Sequence, residues 1–145
     1  MAHLLFDTNI AIYVFGEHPT YMNFLRTIIG KKVGMSVMTY MEMLIGARDE
    51  RDNKAMEIFF SHFEIFPVDV SIAHKSTLVF RQRKLRSMRH PWFADTVIGQ
   101  TALALNVPLV TNNPKDFASF KGLEIIVPEN PVRPPLPPSD FVWAS

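Results

Sequence analysis

Leu4-Leu5-Phe6-Asp7-Thr8-Asn9-Ile10-Ala11-Ile12-Tyr13-Val14-Phe15 opens the chain with an apolar run, a carboxylate and a second apolar stretch that closes at Gly16. The first run reads as a short buried strand, Leu4 to Phe6, and the second as a helix, Thr8 to Phe15. Asp7 therefore stands at a strand exit. In open parallel sheets, ligands and reacting groups gather outside the carboxyl ends of the strands. An acid at that position reaches a metal or a polar substrate, and it equally suits the cap of the helix it precedes.

Working outward, Tyr21 to Ile29 reads as a second helix, Gly30-Lys31-Lys32 as a turn, and Val33 to Met38 as a second strand. Thr39-Tyr40-Met41-Glu42 fits the capping box that starts a helix. Asn53 to Phe63 follows as a helix and Glu64 to Val68 as a short strand interrupted at its edge by Pro67. Asp69 caps a long helix, Val70 to Met88, and Pro91 starts another that runs to about Leu105. Val107 to Val110 is a strand, Thr111-Asn112-Asn113-Pro114 a turn, Lys115 to Phe120 a short helix, and Leu123 to Val127 a final strand. Strand and helix alternate throughout, which predicts an α/β fold of three layers: a mostly parallel five-stranded sheet with helices on both faces. Residues 1–127 make one domain. Residues 128–145 hold six of the eleven prolines and are expected to be an extended tail ending in Phe141-Val142-Trp143.

Composition narrows the function classes. The chain has 145 residues, 48% of them apolar and 20% charged, which argues against disorder. No apolar run is long enough for a bilayer, and no basic segment precedes the first apolar residues, so no membrane association is expected and the cytoplasm is the expected location. With no cysteine, thiolate metal sites and disulfides are excluded. Any metal must be held by oxygen or imidazole. The net charge of +1 does not announce a nucleic-acid binder, but five of the fifteen Lys and Arg residues fall between Arg81 and Arg89.

Four carboxylates fall at element boundaries: Asp7, Glu42, Asp95 and Asp116. If the elements run parallel, those boundaries share one edge, and acids held that close repel unless a cation neutralises them. Mg²⁺ or Mn²⁺ is the natural choice, because hard divalent ions take carboxylate and phosphate oxygens. Phosphodiester hydrolysis is the chemistry such a set serves. Each acid also has a structural reading: Glu42 as the partner of Thr39 in the capping box, Asp7 as a cap, Asp95 as a first-turn acid, Asp116 as a turn acid.

Together these segments resemble the four motifs of PIN-domain nucleases, and most nearly those of VapC-like ribonuclease toxins. The segments are Phe6-Asp7-Thr8-Asn9, Met41 to Ala47, Phe93 to Gly99, and Leu109 to Phe117. The resemblance implies a parallel five-stranded sheet, an acidic Mg²⁺ or Mn²⁺ site, cleavage of single-stranded RNA, a homodimer, and inhibition by a cognate antitoxin protein. Carried over by position, it makes Asp7, Glu42 and Asp95 the core catalytic and metal-binding acids. It leaves the fourth place open between Asp116 and Asn113, with Asn112 also near. Thr111 is expected to supply a hydroxyl that orients a carboxylate or a water.

Among the basic residues, Arg83 and Arg86 are the first candidates for phosphate contact, against the alternative of a solvated helix face. Trp92 and Phe93 are expected to pack in the core rather than stack on a base. The apolar residues of the first two helices are numerous enough to suggest an interface, against ordinary burial. Two other functions stay open: a PIN-type RNA-processing nuclease without an antitoxin, and a nucleic-acid-binding module whose acids are structural.

Overall fold

The computed structural model describes residues 1–131. The proline-rich segment from 132 onward, with its Phe141-Val142-Trp143 tip, lies outside the described residues. Five strands form one sheet: β1 (Leu4–Phe6), β2 (Val33–Ser36), β3 (Glu64–Phe66), β4 (Leu109–Val110) and β5 (Ile125–Ile126). Their order is β3-β2-β1-β4-β5, and every pairing is parallel. The α/β architecture expected from the alternation is therefore present, with β1 at the centre and the carboxyl ends of all strands on one edge.

Side chains on β1 alternate between two cores, as the two-residue period of a strand requires. Leu4 and Phe6 join Ile10, Tyr13, Tyr21, Met35 and Met56 on one face, and Leu5 joins Ile98, Ala102, Leu109 and Phe117 on the other. Helices α1 (Thr8–Phe15), α2 (Pro19–Thr27), α3 (Val37–Ile45), α4 (Glu50–Phe60), α5 (Val70–Gln82) and α6 (Trp92–Leu105) complete the layers. The apolar residues of α1 and α2 are spent on the first core: Ile10, Ile12, Tyr13, Val14 and Tyr21 are all buried. Phe15, Met22, Phe24 and Leu25 of the same helices pack against that core but stay partly exposed. Exposed apolar side chains include Ile29 just after α2, and Met41, Leu78, Met88 and Trp92 on or near α3, α5 and α6. There, Met38, Met41, Phe80, Leu85, Met88 and Phe93 line an apolar groove of about 630 Å³.

Several boundaries differ from the local sequence signals. Strand β2 ends at Ser36, whose hydroxyl accepts from the Met38 amide at 3.0 Å and caps α3. Thr39 is thus inside the helix, the capping box does not form, and Glu42 stands in the second turn. Helix α4 starts earlier, at Glu50, because Asp49 accepts from the Asp52 amide at 2.9 Å. Asp69 caps α5 as expected, accepting from Ile72 at 2.8 Å. That helix stops at Gln82, well short of Met88, because Lys84 takes a left-handed conformation at φ 60°. Most of the basic cluster therefore lies in turns and not on a helix face. No helix among the described residues is long and apolar enough to cross a membrane.

Candidate active site

Strands β1 and β2 pass into α1 and α3 without a loop, because Asp7 and Ser36 serve as the caps. This places the start of both helices at the carboxyl edge of the sheet. Asp7 is 3% exposed, and both of its carboxylate oxygens are engaged: Oδ1 accepts from the Thr8 amide at 2.7 Å and Oδ2 from the Thr111 hydroxyl at 2.7 Å. Cap and site member are one role here, since the same carboxylate that starts α1 also lines the cleft beside it.

Glu42 reaches that cleft from α3. Its Oε1 accepts from the Thr8 hydroxyl at 2.6 Å, and the Thr8 oxygen lies 3.0 Å from the hydroxyl of buried Thr39. With the Thr8 proton given to Glu42, Thr39 donates to Thr8, and the three side chains form a relay that fixes the carboxylate. Asp95 enters from the first turn of α6. Asp7, Glu42 and Asp95 together line a cleft of about 410 Å³, with Thr8, Asn9, Ile12, Ile45 and Pro91 around them.

The electrostatics of the cleft are unfavourable to so many anions. Burial raises the Asp7 carboxyl to about 6 against the lowering effect of its hydrogen bonds from Thr111 and Thr8, with the charges of Glu42 and Asp116 adding to the rise. Asp95 is pushed up to about 8 by burial first, then by Asp7, Asp116 and Glu42, while Arg83 pulls it down. Glu42 is raised by burial, offset by its bond from Thr8. An acid is held that far up where a counter-charge is wanting.

Asp116, on the 3-10 helix Pro114–Phe117, does not line the cleft itself, yet its charge acts on both Asp7 and Asp95. Asn113 donates its amide to the Thr111 hydroxyl at 3.0 Å and so holds that side chain in place for Asp7. Asn112 is buried on the side of α2, with its amide nitrogen donating to the Tyr21 hydroxyl, and its Oδ1 has no partner among the described residues. Asn112 belongs to the core contact with α2, and Asn113 to the support of Asp7.

Arg83 is half-buried. Its guanidinium donates to the Asp116 carbonyl at 2.9 Å and to the Ser119 hydroxyl at 2.7 Å, and lies 5.0 Å from the Trp92 ring centre. Trp92 is 40% exposed beneath that cation instead of packed in the core, whereas Phe93 meets Phe80 edge-on at 5.5 Å. Arg86 is exposed, with one long contact to the Leu85 carbonyl at 3.5 Å. Sequence reasoning missed Thr8 and Thr39 as supports. The available signal for Thr8 was its position directly after Asp7; Thr39 had been assigned to a cap.

The hydroxyls around the acids make a specific prediction. Thr111→Val removes the donor to Asp7 Oδ2 while keeping the side-chain volume. Loss of such an outer partner should lower activity about 10–100-fold. Steady-state cleavage rates together with an unchanged circular dichroism spectrum would verify this, and wild-type rates would refute it.

Oxygen donors alone surround the cleft, and the mutual repulsion of the acids fits a hard divalent cation. Among the described residues, no three acidic or histidine side chains close into a ready metal cage. The donor set suits Mg²⁺, which keeps several waters and completes its shell with carboxylate oxygens.

A parallel α/β domain with braced acids at the carboxyl edge of its sheet is the class that fold and cleft define. The profile described as PIN domain matches residues 4–123, and the chain belongs to that family. It is 32% identical over 124 residues to ribonuclease VapC1 of Methanocaldococcus jannaschii, covering 84% of this chain and 85% of that protein. Among solved structures, a toxin-antitoxin complex from Klebsiella pneumoniae superposes with a TM-score of 0.68 at 28% identity, covering 85% of this chain and 95% of that one. VapBC2 from Rickettsia felis, bound to a DNA fragment from its promoter, gives a TM-score of 0.68 at 25% identity, covering 86% and 97%.

Proposed function

We propose that the protein is a metal-dependent endoribonuclease, hydrolysing phosphodiester bonds of single-stranded RNA and acting as the toxin of a toxin-antitoxin pair. The observation that carries the proposal is the convergence of Asp7, Glu42 and Asp95 on one cleft, each raised by burial and the first two braced by hydroxyls. The names of the relatives, ribonucleases and toxin-antitoxin complexes, support the same reading. In it, residues 1–127 are the nuclease unit and residues 128–145 an appended tail.

Asp7, Glu42 and Asp95 are the metal-binding and catalytic acids, with Asp116 as the fourth, outer acid. A bound Mg²⁺ or Mn²⁺ supplies an activated water and stabilises charge on the phosphate. The protein's own part is positional. Thr111 and the Thr8 amide hold Asp7, and the Thr39–Thr8 relay holds Glu42, so neither carboxylate has to reorganise when substrate arrives. Asp95 keeps its proton near neutral pH and releases it when positive charge comes beside it. An anionic cleft alone repels a phosphate, so RNA affinity must come from the cation and from basic side chains, of which Arg86 is an exposed candidate.

Assembly with a cognate antitoxin and with a second copy of the chain belongs to this reading. The apolar groove between α3, α5 and α6 is the surface this reading assigns to the homodimer contact. Purified protein is expected to run at twice its chain mass. It should cut single-stranded RNA with Mg²⁺ or Mn²⁺ and stop on addition of chelator. Cleavage that continues at full rate in excess chelator contradicts the metal role, and no cleavage under any metal contradicts the enzyme.

A further inference from the structure

We infer that Arg83 is a positioning residue that locks the 3-10 helix carrying Asp116 to the first turn of α6 carrying Asp95, and not an RNA contact. The inference rests on the nuclease reading above. Arg83 follows the end of α5 and spans two elements that are distant in sequence. One face of its guanidinium covers Trp92, the first residue of α6, at 5.0 Å, and its Nη2 donates to the Asp116 carbonyl and the Ser119 hydroxyl. Asp95 is three residues beyond Trp92, one helical turn further along.

The start of α6 is held from outside the helix. Pro91 at the cap position makes no side-chain bond, and the amide of Trp92 donates instead to His90 Nδ1 at 3.2 Å. Further along, α6 is held tightly: a Cβ at Gly99 would come within 2.8 Å of Phe120. The first turn is less buried than the middle of α6: Phe93 packs on Phe80, while Trp92 is 40% exposed and is flanked by His90 and Arg83. A planar fork that donates on its edge while stacking on its face is a geometry that arginine supplies and lysine does not. Both N–H groups of Nη2 are taken up by a carbonyl and a hydroxyl and the cation lies over an indole, so the head group is already held within the protein. Arg86, three residues on, has only its long contact to Leu85.

Arg83→Gln, Arg83→Lys, Ser119→Ala and Arg86→Gln separate the roles, read by RNA-cleavage kinetics and by hydrogen exchange of the intact protein. In Arg83→Gln, kcat should fall about 10–100-fold, as for displaced catalytic groups, with KM and the salt dependence of KM unchanged. Arg83→Lys should not restore it, and Ser119→Ala, which removes a single contact and keeps the fold intact, should show a smaller fall of the same kind. Exchange should quicken in residues 114–119 and in the first turn of α6 for Arg83→Gln and stay as wild type for Arg86→Gln. A raised KM with intact kcat and a flatter salt dependence in Arg83→Gln overturns the inference and makes Arg83 a phosphate contact. So does unchanged exchange in both segments. A wild type that fails to cut RNA overturns the nuclease reading, while the exchange pattern still decides whether Arg83 forms the lock.

Discussion

Asp95→Asn protein is expected to fold as wild type and to cut RNA at a rate reduced well beyond the roughly hundredfold that loss of an outer partner costs. Asparagine keeps the shape of the side chain in the first turn of α6 but removes one unit of negative charge from the proposed cation site. Asp7→Asn should lose as much activity for the same reason, with one difference. Asp7 also caps α1 and receives the Thr111 hydroxyl. An asparagine there can still cap through its carbonyl oxygen, so the fold survives, but its amide nitrogen cannot accept the Thr111 proton. Cleavage rates of the two variants beside wild type, with melting temperatures as the fold control, test this pair. Activity within severalfold of wild type in either variant would remove that residue from the reaction.

Metal-free protein is expected to lose stability as pH rises from about 5 to about 8.5, and to recover it with Mn²⁺. The sign follows from which state binds protons more tightly. Asp7 rises from 3.8 to about 6 on folding and Asp95 from 3.8 to about 8, so between these values the folded protein holds protons that the unfolded chain has released. Stability then falls with rising pH, and the penalty is complete only above the folded value of Asp95. For Asp7 alone it is on the order of 3 kcal/mol, and Asp95 adds to it by an amount that the water around its partly exposed side chain reduces. Asp95→Asn should accordingly be more stable than wild type at pH 8 without metal, a gain in stability at the cost of function. Thermal melts across this pH range, with and without Mn²⁺, provide the check. Wild-type stability that rises steadily from pH 5 to 8.5 without metal would show that burial and the neighbouring acids do not hold these carboxyls up.

Much of the fold was legible because its signals are local. Gly16 ends α1 and Asp69 starts α5 where their side chains or backbones alone dictate. Parallel order followed from the alternation of strand and helix. The misread positions were those where two residues had equal local claims and tertiary packing decided between them. Ser36 and Thr39 both suit a helix cap, and Ser36 takes it because the Thr39 hydroxyl is drawn to Thr8, which lies 31 residues away in sequence. The basic stretch after Arg81 has ordinary helix formers, yet the chain turns at Lys84, and the guanidinium of Arg83 is directed to Asp116 and Ser119.

The acids themselves stood out in the sequence by their places after strands and in first turns, but their supports did not. The bonds from Thr8 to Glu42 and from Thr111 to Asp7 close over 34 and 104 residues of chain, distances at which no local pattern carries information. Likewise, Trp92 is as apolar as any core aromatic, yet it stays at the surface between Arg83 and His90.

Calorimetric titration of Mn²⁺ into metal-free wild type, with Asp7→Asn as the comparison, tests the central claim most directly, because it reads the acids as ligands without assuming any RNA target. Wild type should take up Mn²⁺ in a saturable event that Asp7→Asn weakens severely. Absence of saturable binding to wild type, or equal binding by the variant, would contradict the account.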